Sequence, residues 1–298
     1  MTSYEGLNIL ITGSTGYIGS TLVKSFNSID CNLIISTGDV SKKETWNDII
    51  KDDIDIIFHL AAVEVEHETP ERDLNVNSVS VLHMLQTCVE KRCNPKIIFA
   101  SSTNVFGIVN EDKVNENTNA KPAAEWSAHK LLSEHYLKIY NEKFGLKSII
   151  LRLPNIYGPV RDKDINRKTS GSLIARVIKY GIEHKQLKLF KNRNCYRDYV
   201  YIDDIVKAFI KTGLANDDIF DGRFFVVGSN KLTTISDMWN TIASVLTDVT
   251  VTEDDTIDLN PIEMRSYVGD YRLLEEVIGW QPRVNLQDGV KLTVESLK

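Results

Sequence analysis

Three glycines at a fixed spacing, Gly13, Gly16 and Gly19, follow directly on the apolar run Ile9-Leu10-Ile11-Thr12. A buried strand that runs into such a turn and then into a helix suits a dinucleotide pyrophosphate. Gly13 lets the backbone turn tightly, Gly16 removes the Cβ that would block the phosphates, and Gly19 lets the helix sit close to the sheet. Thr15, Tyr17 and Ile18 fill the loop and the first helical turn, where free N–H groups favour phosphate oxygens. Glycines also mark ordinary turns; the place of these three at the first strand-to-helix junction is what favours the phosphate reading. The six histidines form no HExxH or comparable ligand pair. Glu125 and His129 read as a solvated helix-face pair, and no metal is expected.

The elements that must position this loop follow from the spacing of apolar residues. A helix is expected over 16–27 and a strand from Leu33 to Thr37. Ser41, three places before Glu44, has the spacing of a capping box at the start of a short helix. Asp55 to Ala62 is a nearly continuous apolar run, as a buried parallel strand requires. Residues 73–92 have helical periodicity, with Leu74, Val81, Leu82, Leu85 and Val89 able to face the sheet. A strand at Lys96–Ala100, a helix over 124–144 and a strand at Ser148–Leu153 complete a βαβ series. Right-handed crossovers then predict an α/β, doubly wound parallel sheet of Rossmann type, with its ligand crevice at the carboxyl ends of the strands.

Beyond Pro154 the alternation decays into a polar loop from Arg161 to Ser172, helices near 173–183, 203–214 and 234–246, and short strands near 187–190 and 199–202. The expected organisation is a dinucleotide-binding part over 1–160 and a smaller α/β C-terminal substrate-binding part over 161–298. Strands and helices near 199–214 pack back onto the first part. Substrate is expected in the cleft between the two.

Composition excludes several classes. With 42% apolar and 26% charged residues the 298-residue chain reads as globular, and a net charge of −6 with no basic stripe argues against a nucleic-acid partner. Asp55, His59 and Glu64 punctuate the longest apolar run, far short of the ~20 residues a membrane span needs. Cys31, Cys88, Cys93 and Cys195 have no CxxC spacing and follow no apolar leader, so free thiols and a cytoplasmic protein are expected.

Further stretches carry a resemblance that spans nearly the whole chain. They are His59-Leu60-Ala61-Ala62, Leu74-Asn75-Val76-Asn77, Ser101 to Gly107, Leu151 to Pro159 and Arg197 to Asp204. With the glycine loop they resemble the extended short-chain dehydrogenase/reductases, in the branch that modifies nucleotide-diphosphate sugars. The resemblance implies hydride exchange between a nicotinamide and a sugar carbon, often C4, and a homodimer paired through the helices at 73–92 and 124–144. It places Leu60, Ala61, Ala62 and Pro154 beside the cofactor with Asp39 and Val40. It places Asn155, Arg197 and Arg265 on the sugar nucleotide, where planar guanidinium forks suit a diphosphate. In such enzymes a hydroxyl residue orients the substrate, and a YxxxK pair moves the proton and holds the nicotinamide ribose.

Ser102 and Lys130 match the hydroxyl residue and the lysine, but Trp126 stands where the tyrosine belongs. An indole has one N–H donor and no acceptor lone pair. Either another group moves the proton, with Glu64, Glu66, His67 or a desolvated Lys130 as candidates, or the chain is a non-catalytic nucleotide-binding homologue. A third reading, a structural protein reusing the sheet, predicts no cofactor at all. Thr103 and Asn104 stand where dehydratases of this branch carry an aspartate and a glutamate, so C4 epimerisation or simple oxidation and reduction is expected. Asp39 is the acidic residue nearest the end of the second strand, and no arginine stands beside it in the chain to receive a 2′-phosphate, which favours NAD over NADP.

Overall fold

The computed structural model describes residues 3–51, 53–63, 69–160 and 173–297. The chain runs through β1 (Asn8–Thr12), α1 (Tyr17–Phe26), β2 (Asn32–Ile35), α2 (Lys43–Ile49), β3 (Ile56–His59), α3 (Pro70–Leu74), a π-helical turn (Asn75–Val79) and α4 (Ser80–Lys91). It continues with β4 (Lys96–Ser102), β5 (Lys113–Val114), α5 (Glu125–Phe144), β6 (Ser148–Leu153), β7 (Asn155–Tyr157), α6 (Leu173–His184), β8 (Gln186–Leu189) and β9 (Tyr199–Tyr201). The remainder is α7 (Ile202–Gly213), β10 (Asp221–Val226), α8 (Ile235–Leu246), β11 (Thr250–Glu253), β12 (Val268–Gly269), α9 (Arg272–Ile278) and α10 (Leu286–Glu295).

Six strands make one parallel sheet in the order β10-β6-β4-β3-β1-β2, the doubly wound Rossmann arrangement. The strand order reverses between β1 and β3, so the loops after these two strands open a crevice at their carboxyl ends. Alternation along each strand fills both faces. Ile9, Ile11, Phe58 and Ile98 share one core with Leu22, Phe209 and Val290. Leu10, Ile57, Ile97 and Phe99 share the other with Trp46, Leu85 and Leu137. Each such buried side chain stabilises the fold by about 1.5–3 kcal/mol relative to an exposed one. No helix among the described residues is long and apolar enough to cross a membrane.

The fold departs from the expected pattern at several points; the helix expected over 73–92, for one, is α3, a π-helical turn and α4. The short second helix begins at Lys43 and has Lys42 as an N-cap without a side-chain bond. Ser41 is not its cap, because the Ser41 hydroxyl donates to Asp39 and accepts from Arg72. The sixth sheet strand, β10, lies well beyond the decay of the βαβ alternation; its register shifts between Asp221 and Phe224, which hides it from a period-two reading. Two-stranded parallel pairs join β5 to β12, β8 to β11 and β7 to β9, so strands on either side of Pro154 interleave.

Candidate active site

The glycine loop is a cradle that side chains would fill. Gly13 has φ +68°, and a Cβ there would stand 2.6 Å from the Ala61 nitrogen and the Leu60 carbonyl carbon. At Gly19 a Cβ would collide with the Gly13 carbonyl. The Gly16 N–H donates to that same carbonyl at 2.9 Å, which closes the turn. Gly16 is then the N-cap of α1 and supplies no side-chain oxygen, leaving the opening amides of Tyr17 and Ile18 without an intrahelical acceptor. The buried Tyr17 hydroxyl has no partner among the described residues and lies close to Gly158. An uncapped helix start over a Cβ-free cradle fits a dinucleotide pyrophosphate.

Thr12 and His59 lock the cradle to its neighbour strand. The Ser80 hydroxyl donates to the Val76 carbonyl and lies 3.4 Å from His59 Nε2, so Nε2 carries the hydrogen and Nδ1 accepts from Thr12 at 2.8 Å. Thr12 Oγ1 accepts in turn from the Ala61 N–H at 3.3 Å. Burial, reinforced by the Lys130 charge, pushes His59 down to about 3, so the ring stays neutral. Neither residue was singled out from the sequence for this role. Asn77, on the π-helical turn, clamps the same loop by exchanging both hydrogen bonds with the Val63 backbone.

Ser102 ends β4, and its hydroxyl accepts from the Asn104 N–H at 3.2 Å. Trp126 and Lys130 lie one turn apart on α5, with Trp126 half-buried and Lys130 buried. Lys130 Nζ donates to the Ala100 carbonyl at 2.9 Å and sits 4.7 Å over the Phe99 ring. Burial pushes it down to about 8 against the opposing pull of Asp73 and Glu134. Beneath Ser102, the buried Glu134 accepts from Ser101 and pairs with Arg152 at 2.6 Å. Tyr157 is buried against Tyr199, Tyr201 and Gly289 and serves packing. Glu64, Glu66 and His67 lie outside the described residues.

Asp39 follows β2 as expected, and the absence of an arginine beside it holds only along the chain. Arg72, from α3, reaches across and donates to both Asp39 oxygens at 3.0 and 3.2 Å. Partial burial raises the Asp39 carboxyl, but bonds from Ser41 and Arg72 outweigh it and hold the group below its usual range.

Asn155, Arg197 and Arg265 do converge. With Phe190, Tyr199 and Trp239 they line a cavity of about 240 Å³ beyond the end of β6. Arg197 donates to the Tyr196, Glu263 and Arg265 carbonyls, and Arg265 donates to the Ile262 carbonyl. Burial and the neighbouring Arg265 charge lower the Arg197 guanidinium. Among the described residues no carboxylate forms an ion pair with either arginine, although Glu263 and Lys188 line the same cavity. Buried Asp198 fixes this wall by accepting from the Ser229 and Gly269 amides, both at 2.8 Å. Burial outweighs those bonds and pushes its carboxyl up to about 6. The aromatic lining from Phe190 and Trp239 comes from segments with no motif of their own.

A Rossmann sheet with a dinucleotide cradle at its switch point and an arginine-lined cavity beside it defines a class of nucleotide-dependent α/β enzymes. The chain belongs to the NAD dependent epimerase/dehydratase family, whose profile matches residues 9–228. It is 27% identical to the UDP-glucose 4-epimerase of Mycolicibacterium smegmatis, over 97% of this chain and 98% of that protein. Its fold is shared with the UDP-N-acetylglucosamine 4-epimerase of Methanobrevibacter ruminantium in complex with UDP-N-acetylmuramic acid (TM-score 0.85, 24% identity, 98% of each chain). It is shared too with the UDP-glucose 4-epimerase of Thermotoga maritima with UDP-glucose (TM-score 0.83, 24% identity, 98% of each chain). As a member of this family the protein is an NAD-dependent enzyme of the epimerase/oxidoreductase type.

Proposed function

We propose that the protein is a nucleotide-sugar C4 epimerase, acting at a carbinol carbon of a UDP-linked hexose. The observation that carries this reading is the pair Arg197 and Arg265, two guanidiniums lining one cavity, neither in an ion pair among the described residues. Such a pair suits a diphosphate, and Asn155 at the same cavity suits a sugar hydroxyl. The relatives of matching length support the UDP-sugar assignment.

In this reading Gly13, Thr15, Gly16, Tyr17, Ile18 and Gly19 hold the pyrophosphate of NAD. Asp39 and Val40 border its adenosine end, and Leu60, Ala61, Ala62 and Pro154 border the crevice. NAD, when bound, supplies the two-electron acceptor and donor. Lys130 donates from its ammonium to the ribose beside the reacting carbon, and Ser102 orients the carbinol. Trp126 closes the site as an apolar wall and takes no part in proton transfer. Residues 161–298 supply most of the sugar-nucleotide contacts. A homodimer through α4 and α5 belongs to the same proposal, supported by exposed Leu132 and Ile139 seven residues apart on α5.

The test is incubation with NAD and a panel of UDP-, GDP-, dTDP- and CDP-hexoses, with C4 epimers resolved by NMR. Conversion of a UDP-hexose between its gluco and galacto forms is expected. Trp126 favours a second reading, a nucleotide-binding homologue without turnover. Tight binding of NAD and a UDP-sugar with no epimer formed from any substrate would establish it.

A further inference from the structure

The adenosine half of a dinucleotide whose pyrophosphate lies over Gly13, Gly16 and Gly19 reaches from the end of β1 across the end of β2. The two strand ends are in register. Ile11 pairs with Ile35, and the Ser36 N–H donates to the Ile11 carbonyl at 3.1 Å, two residues before Gly13. Asp39 follows three residues on, so the cluster of Asp39, Ser41 and Arg72 stands at the adenosine end of the cradle.

The hydrogen bonds of that cluster leave little acceptor and much donor capacity. Asp39 Oδ1 accepts from the Ser41 N–H at 3.1 Å, the Ser41 hydroxyl at 2.8 Å and Arg72 Nη1 at 3.2 Å. Oδ2 accepts only from Arg72 Nη1, at 3.0 Å. A carboxylate that grips both hydroxyls of a ribose needs both oxygens; here one is already filled by three donors. Arg72 is the reverse. Every side-chain bond it makes among the described residues runs through Nη1, to Asp39 and, at 2.9 Å, to the Ser41 hydroxyl.

That geometry is unlike the other arginine–carboxylate pairs of the chain. Arg152, Arg223 and Arg272 turn the Nε–Nη2 edge of the guanidinium onto Glu134, Asp221 and Asp270. Arg72 is anchored at Nη1 instead, and its Nε–Nη2 edge bonds to nothing among the described residues, with 38% of the side chain exposed. Two parallel N–H groups held in a fixed plane fit two oxygens of one phosphate. Lys42, exposed, adds a second positive charge beside Ser41, while Lys43 is paired with Glu90 at 2.5 Å.

We propose that Arg72 admits a ribose 2′-phosphate, so that the cradle takes NADP as well as NAD. The Nε–Nη2 edge holds the phosphate, and Asp39 Oδ2 keeps one acceptor position for the 2′-hydroxyl of NAD. A phosphate monoester carries about −1.5 to −2 charge at pH 7. Asp39 opposes that charge and Arg72 offsets it; without Arg72 only the opposition is left. The inference rests on the placement of the adenosine given above and leaves the sugar and the hydride step as they are.

The experiment is calorimetric titration of the whole chain with NAD and with NADP, with no turnover read. The wild type is expected to bind NADP with a Kd within about 30-fold of that for NAD. Arg72→Gln is expected to weaken NADP about 10- to 100-fold while NAD stays within about threefold, which also shows that the variant is folded. Arg72→Lys, which keeps the charge and loses the fork, is expected to weaken NADP at least about fivefold relative to NAD. An arginine that only braces Asp39 would change both dinucleotides alike. A wild type that binds NAD and holds NADP more than about 30-fold more weakly, or variants in which the two Kd values move together, overturns the proposal. A protein that binds neither dinucleotide removes the cofactor reading and this inference with it; one that binds NAD and rejects NADP removes this inference alone.

Discussion

Replacing Lys130 with methionine should make the protein more stable at neutral pH while weakening its hold on the dinucleotide. Burial lowers the lysine to about 8 from an ordinary 10.5, with Asp73 and Glu134 only partly compensating. A folded-state value below the unfolded one means that the unfolded chain binds more protons between those limits, so stability rises as pH climbs through that window. The cost is fully present below about pH 8. At ~1.4 kcal/mol per pH unit the gap corresponds to about 3 kcal/mol. Methionine keeps most of the apolar stem but forfeits the 2.9 Å bond to the Ala100 carbonyl, worth about 1–2 kcal/mol. The net gain at pH 7 is about 1–2 kcal/mol, or a rise of about 2–4 °C in Tm for a chain of this size. Urea denaturation of both proteins at pH 7 and pH 10 measures it, and at pH 10 the advantage should vanish. Calorimetry with NAD should show at least a tenfold weaker Kd in the variant. A Lys130→Met protein less stable than wild type at pH 7, or a difference that ignores pH, would refute the reasoning.

Gly13→Ala places a Cβ 2.6 Å from the Ala61 nitrogen in a backbone of φ +68°. The left-handed conformation alone costs about 1–3 kcal/mol, and the backbone of the neighbouring loop must move out of the cradle, so NAD affinity by calorimetry should fall at least about 100-fold in a protein that still folds. Arg197→Lys keeps the charge and loses the planar fork, so KM for the UDP-sugar should rise about 10- to 100-fold with kcat within about threefold, read from steady-state kinetics with NAD saturating.

What could be read from the chain was local. The glycine spacing, the buried β3 and β6, and the length of α5 are set within a dozen residues of themselves; the structure places β6 and α5 within a residue of expectation, while β3 ends at His59, three residues before Ala62. The pairings that finish the site are long-range. Arg72 reaches Asp39 from another helix, Thr12 meets His59 only because β1 and β3 are neighbours, and the two arginines of the cavity come from separate segments after the alternation has decayed. No period or spacing announces any of these. The same holds for β10, whose register shift breaks the alternation that would reveal it.

Trp126 shows how far a single departure propagates through such a site. Binding groups stay intact around it: the cradle, Lys130 and the arginine pair depend on backbone, ammonium and guanidinium donors that an indole leaves untouched. What the indole removes is an acceptor, and only a group with a lone pair near the same helix face can replace it. From the chain alone His129 pairs most simply with Glu125, one turn away, as a solvated couple. In the folded protein α3 and the π-helical turn bring Asp73 against the ring and bury its inner nitrogen. The variant that separates binding from proton transfer is therefore at 126 and not in the glycine loop.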